Sequence, residues 1–283
     1  MSSIKTISVG DITESVARLC MEANYYLGSD VSEAFEKTLD QEISLTGKEI
    51  LKQLILNAKI AADNKVPMCQ DTGFAVVFID LGQDVRITGG NLYDAINEGV
   101  RKGYTDGYLR KSIVNHPLIR KNTGDNTPAV IHTKIVPGES LKITIAPKGG
   151  GSENMSAIKM LKPADGMEGI KKFVIDTVRA AGPNPCPPIV VGVGIGGTFE
   201  RCALLAKEAL LRKLNTPNPL PEIAFLEGEL LNQINSLGIG PQGLGGKTTA
   251  LAVHVEIYPC HIASLPVAVN INCHAARHKE ITL

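Results

Sequence analysis

Apolar positions change their period several times along the chain, and each change marks an element. Over residues 11–27, Ile12, Val16, Leu19, Cys20 and Ala23 recur at the three-to-four-residue spacing that gives a helix one buried stripe. A second stripe, Ile50, Leu51, Leu54, Ile55 and Ala58, follows Thr46 and Glu49, which fit a capping box, and should end near Asn64. Residues 74–79, Phe-Ala-Val-Val-Phe-Ile, are short, apolar and β-branched, the pattern of a buried strand. Residues 69–73 then form a helix-to-strand loop. Leu92, Ala95, Ile96 and Val100 predict a helix over 91–103, and 128–136 and 141–147 read as strands joined into a hairpin by Pro137-Gly138-Glu139-Ser140.

The later half interleaves the two periods. Helices are predicted over 166–181, 199–214 and 222–237, the last aligning Ile223, Leu226, Leu230, Ile234 and Leu237; strands are predicted over 188–195, 249–258 and 265–271. This places the fold in the mixed α/β class, with a helical N-terminal portion ahead of interleaved strands and helices. No linker, internal repeat or low-complexity tract stands out, so residues 1–283 are read as one catalytic unit, with a two-lobe subdivision as the alternative.

Composition narrows the function classes. A chain of 283 residues with 43% hydrophobic content can bury a substantial core. Its 29 Lys and Arg balance 29 Asp and Glu, which leaves no broad field to attract nucleic acid or an anionic membrane. The N-terminus, Met-Ser-Ser-Ile-Lys-Thr-Ile, holds no apolar leader core, and no apolar run approaches the roughly 20 residues that span a bilayer. A cytoplasmic location is expected. Six scattered cysteines in a chain too large to need disulfide staples favour reduced thiols or metal ligands.

Three of those cysteines stand apart. Cys69 in Pro-Met-Cys-Gln-Asp-Thr-Gly, Cys186 in Pro-Asn-Pro-Cys-Pro-Pro and Cys273 in Asn-Ile-Asn-Cys-His-Ala-Ala-Arg-His lie in polar or turn-forming settings, whereas Cys20 and Cys202 sit on apolar helical stripes and read as core. Two readings stay open from the residues alone: small buried hydrophobes, or ligands of a metal or iron–sulfur cluster. A cluster is normally held by four thiolates, so three would leave one iron open to substrate. No close Cys-x-x-Cys pair supports zinc. Gly192-Val-Gly-Ile-Gly-Gly197 has dinucleotide-binding spacing, but Thr216-Pro-Asn-Pro-Leu-Pro stands where the acidic ribose partner belongs, so a tight turn at a ligand site is the better reading. Gly240-Pro-Gln-Gly-Leu-Gly-Gly-Lys247-Thr248 misses the P-loop register by one residue and precedes its strand. Arg110, taken alone, reads as half of a surface ion pair.

Five motifs together go further. Cys69-Gln-Asp-Thr-Gly73, Gly149-Gly-Gly-Ser-Glu-Asn-Met155, Cys186-Pro-Pro-Ile-Val-Val-Gly-Val-Gly-Ile-Gly-Gly197, Ile239-Gly-Pro-Gln-Gly-Leu-Gly-Gly246 and His261-Ile-Ala-Ser-Leu-Pro resemble the class I, iron–sulfur-dependent fumarate hydratases, in order and over nearly the whole chain. The resemblance is closest to the α subunit of the two-subunit form, a group that also contains the α subunit of L-tartrate dehydratase. It implies a [4Fe–4S] cluster on Cys69, Cys186 and Cys273, with the fourth iron acting on substrate as a Lewis acid. It also implies that Gln70, Asp71, Arg110 and Gly151 line a dicarboxylate pocket, with Asp71 and His261 catalytic. His261, twelve residues before Cys273, would reach the active site of a neighbouring protomer, whereas His254, His274 and His278 have weaker claims and Cys260 fits no ligand position.

The resemblance has a consequence for assembly. Single-chain relatives continue into a second domain, whereas this chain stops ten residues after Cys273, so a separate β subunit is expected to complete the active site in an α2β2 assembly with an α–α contact. The implied reaction is reversible hydration of fumarate to L-malate. The sequences after Gly151 and His261 point to this branch, and dehydration of L-tartrate is the alternative. The alternative from another class is a non-catalytic protein that uses a cluster or metal for sensing or structure.

Overall fold

In the computed structural model, which describes residues 5–283, the chain begins with β1 (Lys5–Ser8), α1 (Val9–Tyr25), α2 (Ser29–Gln41) and α3 (Leu45–Asn64). It continues through β2 (Phe74–Gly82), β3 (Val85–Thr88), α4 (Leu92–Asp106), β4 (Val130–Val136), β5 (Leu141–Lys148), the short α5 (Gly150–Glu153) and β6 (Ala157–Leu161). The last elements are α6 (Gly166–Ala181), β7 (Ile189–Gly196), α7 (Phe199–Ala209), α8 (Pro221–Asn235), β8 (Ala250–Tyr258), β9 (Leu265–Asn272) and β10 (Lys279–Thr282). The fold is mixed α/β. Contacts divide it into two compact units: unit 1 is Met1–Leu27, Ala58–Gly150 and Arg277–Leu283, and unit 2 is Gly28–Asn57 and Gly151–Ala276. The leader-free reading of the N-terminus falls partly on residues 1–4, which lie outside the described residues.

Unit 1 is built on a four-stranded sheet of order β10-β5-β2-β4, beside a parallel β1-β3 pair. Ile12, Val16, Leu19 and Cys20 of α1 and Ile96, Val100 and Tyr104 of α4 join Val77, Ile79, Ile143 and Ile145 of the sheet in one core. Both helices start at side-chain caps: the Ser8 hydroxyl accepts the Asp11 N–H at 3.1 Å, and the Asn91 carbonyl accepts the Tyr93 N–H at 2.8 Å. The predicted hairpin is not formed. β2 lies between β4 and β5, parallel to the first and antiparallel to the second. Residues 137–140 cross the end of β2 instead, where Gly82 donates to the Ser140 carbonyl, Gln83 to Val136 and Asp84 to Gly138. A four-residue link between strands looks the same in sequence whether or not a third strand fills the gap.

Unit 2 carries a second four-stranded sheet, of order β6-β9-β7-β8. The odd positions of β7, Ile189, Val191 and Val193, pack with α6, α8 and β9 in its main core. On the other face of β7, Gly192 and Gly194 lie against α7. A Cβ on Gly192 would stand 2.1 Å from the Ala206 carbonyl oxygen, and one on Gly194 2.2 Å from that of Cys202. Gly192 and Gly194 therefore admit a helix backbone against the strand rather than forming a turn, and the left-handed backbone of the motif begins only at Gly196 and Gly197, with φ of 92° and 71°. α7 stops at Ala209, short of the predicted 214, because the N–H groups of Leu210, Leu211 and Arg212 turn to carbonyls three residues back.

Two further departures concern residues 29–49. Helix α2 escaped the periodicity because it buries only Val31 and Phe35 along thirteen residues. α3 starts at Leu45, with Ser44 accepting the Gly47 N–H at 3.1 Å, so Thr46 and Glu49 lie inside the helix rather than capping it. The choice between two good capping residues was made by the neighbouring Glu42, whose carboxylate accepts the Ile43 and Ser44 N–H groups at 2.8 and 3.0 Å.

Candidate functional site

In unit 1 the chain leaves α3 and reaches β2 through the loop that carries Cys69, half-buried, and Gln70, exposed. The Cys69 Sγ accepts the Asp71 N–H at 3.4 Å, so the loop already supplies one hydrogen bond to that sulfur. Asp71 is held at both oxygens, by the Gly73 N–H at 3.0 Å and the Gly150 N–H at 2.8 Å. Thr72 donates its hydroxyl to the Arg110 carbonyl at 2.9 Å, which brings the start of the 110–126 segment beside the cysteine loop. The Arg110 side chain itself is exposed, and among the described residues no ion pair engages it, so its surface-pair reading finds no partner.

Three residues that the sequence did not single out brace this loop from behind. Tyr104, fully buried, directs its hydroxyl at the carbonyls of Thr72 and Gly73, 2.8 and 3.0 Å away. Burial pushes that hydroxyl well above its usual range and keeps it a donor. Asn126 donates to the Gly73 carbonyl at 3.2 Å while accepting the Ser112 N–H at 2.7 Å. Arg277, only 5% exposed, donates Nη2 to the Asp71 carbonyl at 2.7 Å, and its Nε and Nη1 find no partner among the described residues.

In unit 2 the antiparallel pairing of β7 with β9, Val190 opposite Asn272, sets the start of one strand beside the end of the other. Cys186 lies three residues before β7 and Cys273 immediately follows β9, so sheet pairing brings these two segments together. The His274 N–H donates to the Cys186 carbonyl at 3.2 Å, and His274 Nδ1 lies 3.1 Å from the same oxygen. Cys186 is exposed and takes a left-handed φ of 55°, while Cys273 is half-buried. Gly151 lies against the same turn: a Cβ there would meet the Asn184 carbonyl at an ordinary 3.5 Å.

His261 is not part of that cluster. It occupies the exposed turn between β8 and β9, where its Nδ1 accepts the Ala263 N–H at 3.1 Å, leaving the neutral ring's proton on Nε2. β9 runs eight residues between that turn and Cys273, so the histidine is roughly 25 Å from its own chain's Cys273. His254 is a core residue: Nδ1 meets the Ala209 carbonyl at 3.1 Å, and burial followed by the Arg212 charge pushes its pKa down to about 4. Cys260, exposed, donates its thiol to the Ser264 carbonyl at 3.3 Å within the same turn as His261.

The six thiols thus divide by chemistry. Burial pushes Cys20 and Cys202 up to about 12, far too high to supply a thiolate at neutral pH. Cys69, Cys186, Cys260 and Cys273 lie on loops that water reaches, which suits ligand thiolates, and Cys260 sits in the His261 turn, at the opposite end of β9 from Cys273. Among the described residues no group of three or more His, Cys, Asp or Glu side chains is gathered for a single metal ion. A cluster makes a different demand, since each thiolate binds its own iron.

The family model for fumarate hydratase (Fumerase) matches residues 13–282. The chain belongs to this family. It is a hydro-lyase family that in general depends on iron–sulfur chemistry. The "Putative L(+)-tartrate dehydratase subunit alpha" of Methanocaldococcus jannaschii is 48% identical over 94% of this family member and 95% of its own length. The L(+)-tartrate dehydratase subunit alpha of Escherichia coli strain K12 is 34% identical over 97% of this chain and 91% of its own, and that of Shigella sonnei shows the same figures. Among the described residues no helix is long and apolar enough to cross a membrane.

Proposed function

We propose that this chain is the α subunit of a hydro-lyase that hydrates fumarate reversibly to L-malate. The family match over residues 13–282 carries the reading. Relatives named as subunit alpha support assembly with a β subunit that completes the active site. Cys69, Cys186 and Cys273 are assigned as the thiolates of a [4Fe–4S] cluster, supported by their loop positions and by the exclusion of the two thiols that burial holds protonated. When bound, such a cluster supplies a Lewis-acidic iron with one position open to a substrate oxygen.

The chain's own groups then bind and orient. Arg110, exposed and without an ion-pair partner among the described residues, can grip a substrate carboxylate with two parallel N–H bonds. Gln70, next to Cys69, offers an amide donor, and Gly151 leaves the approach beside Asn184 free of a side chain. Asp71 orients substrate with a carboxylate fixed at both oxygens. His261 presents its Nε2–H outward and, given its distance from Cys273, would exchange protons in the site of a second copy across an α–α contact.

A second reading, dehydration of L(+)-tartrate, is favoured by the printed names of the relatives at 48% and 34% identity. The experiment is anaerobic reconstitution with iron and sulfide, followed by assay of the αβ complex with both acids. Turnover of fumarate far above tartrate is expected, and turnover of tartrate alone would replace the substrate assignment. Absorbance and EPR should show the cluster lost in Cys69→Ser, Cys186→Ser and Cys273→Ser and kept in Cys20→Ser and Cys202→Ser. A chain that takes up no cluster would overturn the ligand assignment.

A further inference from the structure

The glycine-rich segment Gly240–Gly246 fits neither a phosphate loop nor a free linker, because both of its ends are engaged. At one end it lies on the Cys186 turn. The Gln242 N–H donates to the Pro187 carbonyl at 2.8 Å, its side-chain Nε2 reaches the same oxygen at 2.7 Å, and Nε2 lies 3.2 Å from His274 Nδ1. Gln242 holds a φ of 52°, a conformation that costs a residue with a side chain and persists only where its surroundings impose it. At Gly243 a Cβ would stand 2.2 Å from Pro183 Cβ, three residues before Cys186. The segment therefore touches the residues on both sides of Cys186 and the one after Cys273.

The other end is held by a buried anion. Glu42, 1% exposed, accepts the Lys247 N–H at 2.9 Å with Oε1 and the Thr248 N–H at 2.8 Å with Oε2, besides the Ile43 and Ser44 N–H groups. A Cβ on Gly246 would stand 2.8 Å from Glu42 Oε1, so the glycine makes room for the carboxylate. Hydrogen bonds from backbone N–H groups to a buried carboxylate are strong and directional, and four of them from two separate segments fix the loop's position. Between its ends the loop closes on itself through the Gly245 N–H to the Ile239 carbonyl at 2.9 Å.

We infer that Glu42 is a positioning residue for the cysteine pair: it holds residues 240–248 closed, and Gln242 passes that constraint to Cys186 and His274. This rests on the assignment of Cys186 and Cys273 as ligands for its purpose, but its geometry stands without it. The test is amide hydrogen exchange on the full chain without iron, comparing wild type with Glu42→Gln and with Glu42→Asp, which keeps the charge on a shorter stem. Exchange should quicken at least tenfold not only at Lys247 and Thr248 but also at Gln242 and His274, while the α6 and β7 interior keeps its protection. Gln242→Ala should quicken His274 and leave Lys247 and Thr248 protected.

A role confined to local stability gives a different pattern. Lys247 and Thr248 would respond in whichever Glu42 variant folds, while Gln242 and His274 keep wild-type rates, and that result overturns the inference. Loss of iron to a chelator from reconstituted protein should also quicken at least tenfold in Glu42→Gln and Gln242→Ala. If wild type binds no cluster, the functional reading fails and the exchange pattern still decides this one.

Discussion

Units 1 and 2 thread three of the four strands of their main sheets in the same order, which shows when the strands are set side by side. In each, a central strand (β2 or β7) passes through a helical crossover to a parallel neighbour (β4 or β8), and the chain then crosses to an antiparallel strand on the other side (β5 or β9). An antiparallel edge strand, β10 or β6, completes each sheet. Cys69 and Cys186 occupy matching places, on the loop leading into the central strand. In both units that loop is tied to the segment leaving the antiparallel strand, by Gly150 N–H to Asp71 in unit 1 and by His274 N–H to the Cys186 carbonyl in unit 2.

The difference lies in what each copy of the plan carries. Unit 1 offers one cysteine with polar neighbours, Gln70, Asp71 and Arg110, braced by Tyr104 and Asn126; unit 2 offers two cysteines braced by a glycine-rich loop. Their central strands differ too. β7 presents Gly192 and Gly194 to α7, whereas the matching face of β2 buries Val76 but leaves Phe74 37% exposed and Phe78 half-buried, stacked on His132. One topology therefore holds thiols in two ways, and substituents should be tolerated on one sheet and not on the other.

The largest effect should come from closing the glycine face. Gly194→Val places methyl groups where the Cys202 carbonyl lies 2.2 Å from a Cβ. It should cost about 3 kcal/mol or more, or prevent folding, since α7 must move away from β7. Phe78→Leu, at a half-exposed position of β2, should cost less than about 1 kcal/mol. Urea denaturation of both variants measures this, and similar losses would mean that the two faces are packed alike.

Acid should separate the units next. His254 binds a proton in the unfolded chain near pH 6.5 but in the folded chain only near 4, so its contribution is complete above about 6.5 and is lost as pH falls toward 4. Glu42 follows in a lower window. Burial raises its pKa, but the N–H groups of Lys247, Ser44 and Thr248 outweigh that and hold it at about 2, so its contribution is present above about 4.5 and fades between there and 2. Each is worth about 3 kcal/mol at most. Between pH 7.5 and 4.5, His254→Asn should lose clearly less stability than wild type. Equal losses would show that another group governs the upper window.

The smallest effect is expected in the brace of unit 1. Tyr104→Phe leaves the Thr72 and Gly73 carbonyls without their shared donor and should cost about 1–2 kcal/mol. Alkylation of Cys69 by iodoacetamide should change in rate while that of Cys186 stays constant. A change at both cysteines would mean that Tyr104 acts on global stability rather than on its own loop.

The elements were largely legible because periodicity is local. The stripe Ile170, Val174 and Val178 on α6, like Ile223 through Ile234 on α8, is buried as its spacing predicts. The distinction between core and loop cysteines was legible for the same reason, since Cys20 and Cys202 lie within helical stripes and Cys69, Cys186 and Cys273 do not. Sequence by itself thus determined the α/β class, the family motifs and the two thiols that belong to the core. Tertiary structure alone decided the order of the strands, because the link from β4 to β5 has the same residues whether or not β2 lies between them. It also decided the work of the glycines at 192, 194, 243 and 246, which is to admit a helix, a proline ring and the Glu42 carboxylate. The partners that give those residues their meaning are remote in sequence, Glu42 and Lys247 above all, and only folding brings a buried charge to the backbone N–H groups that hold it.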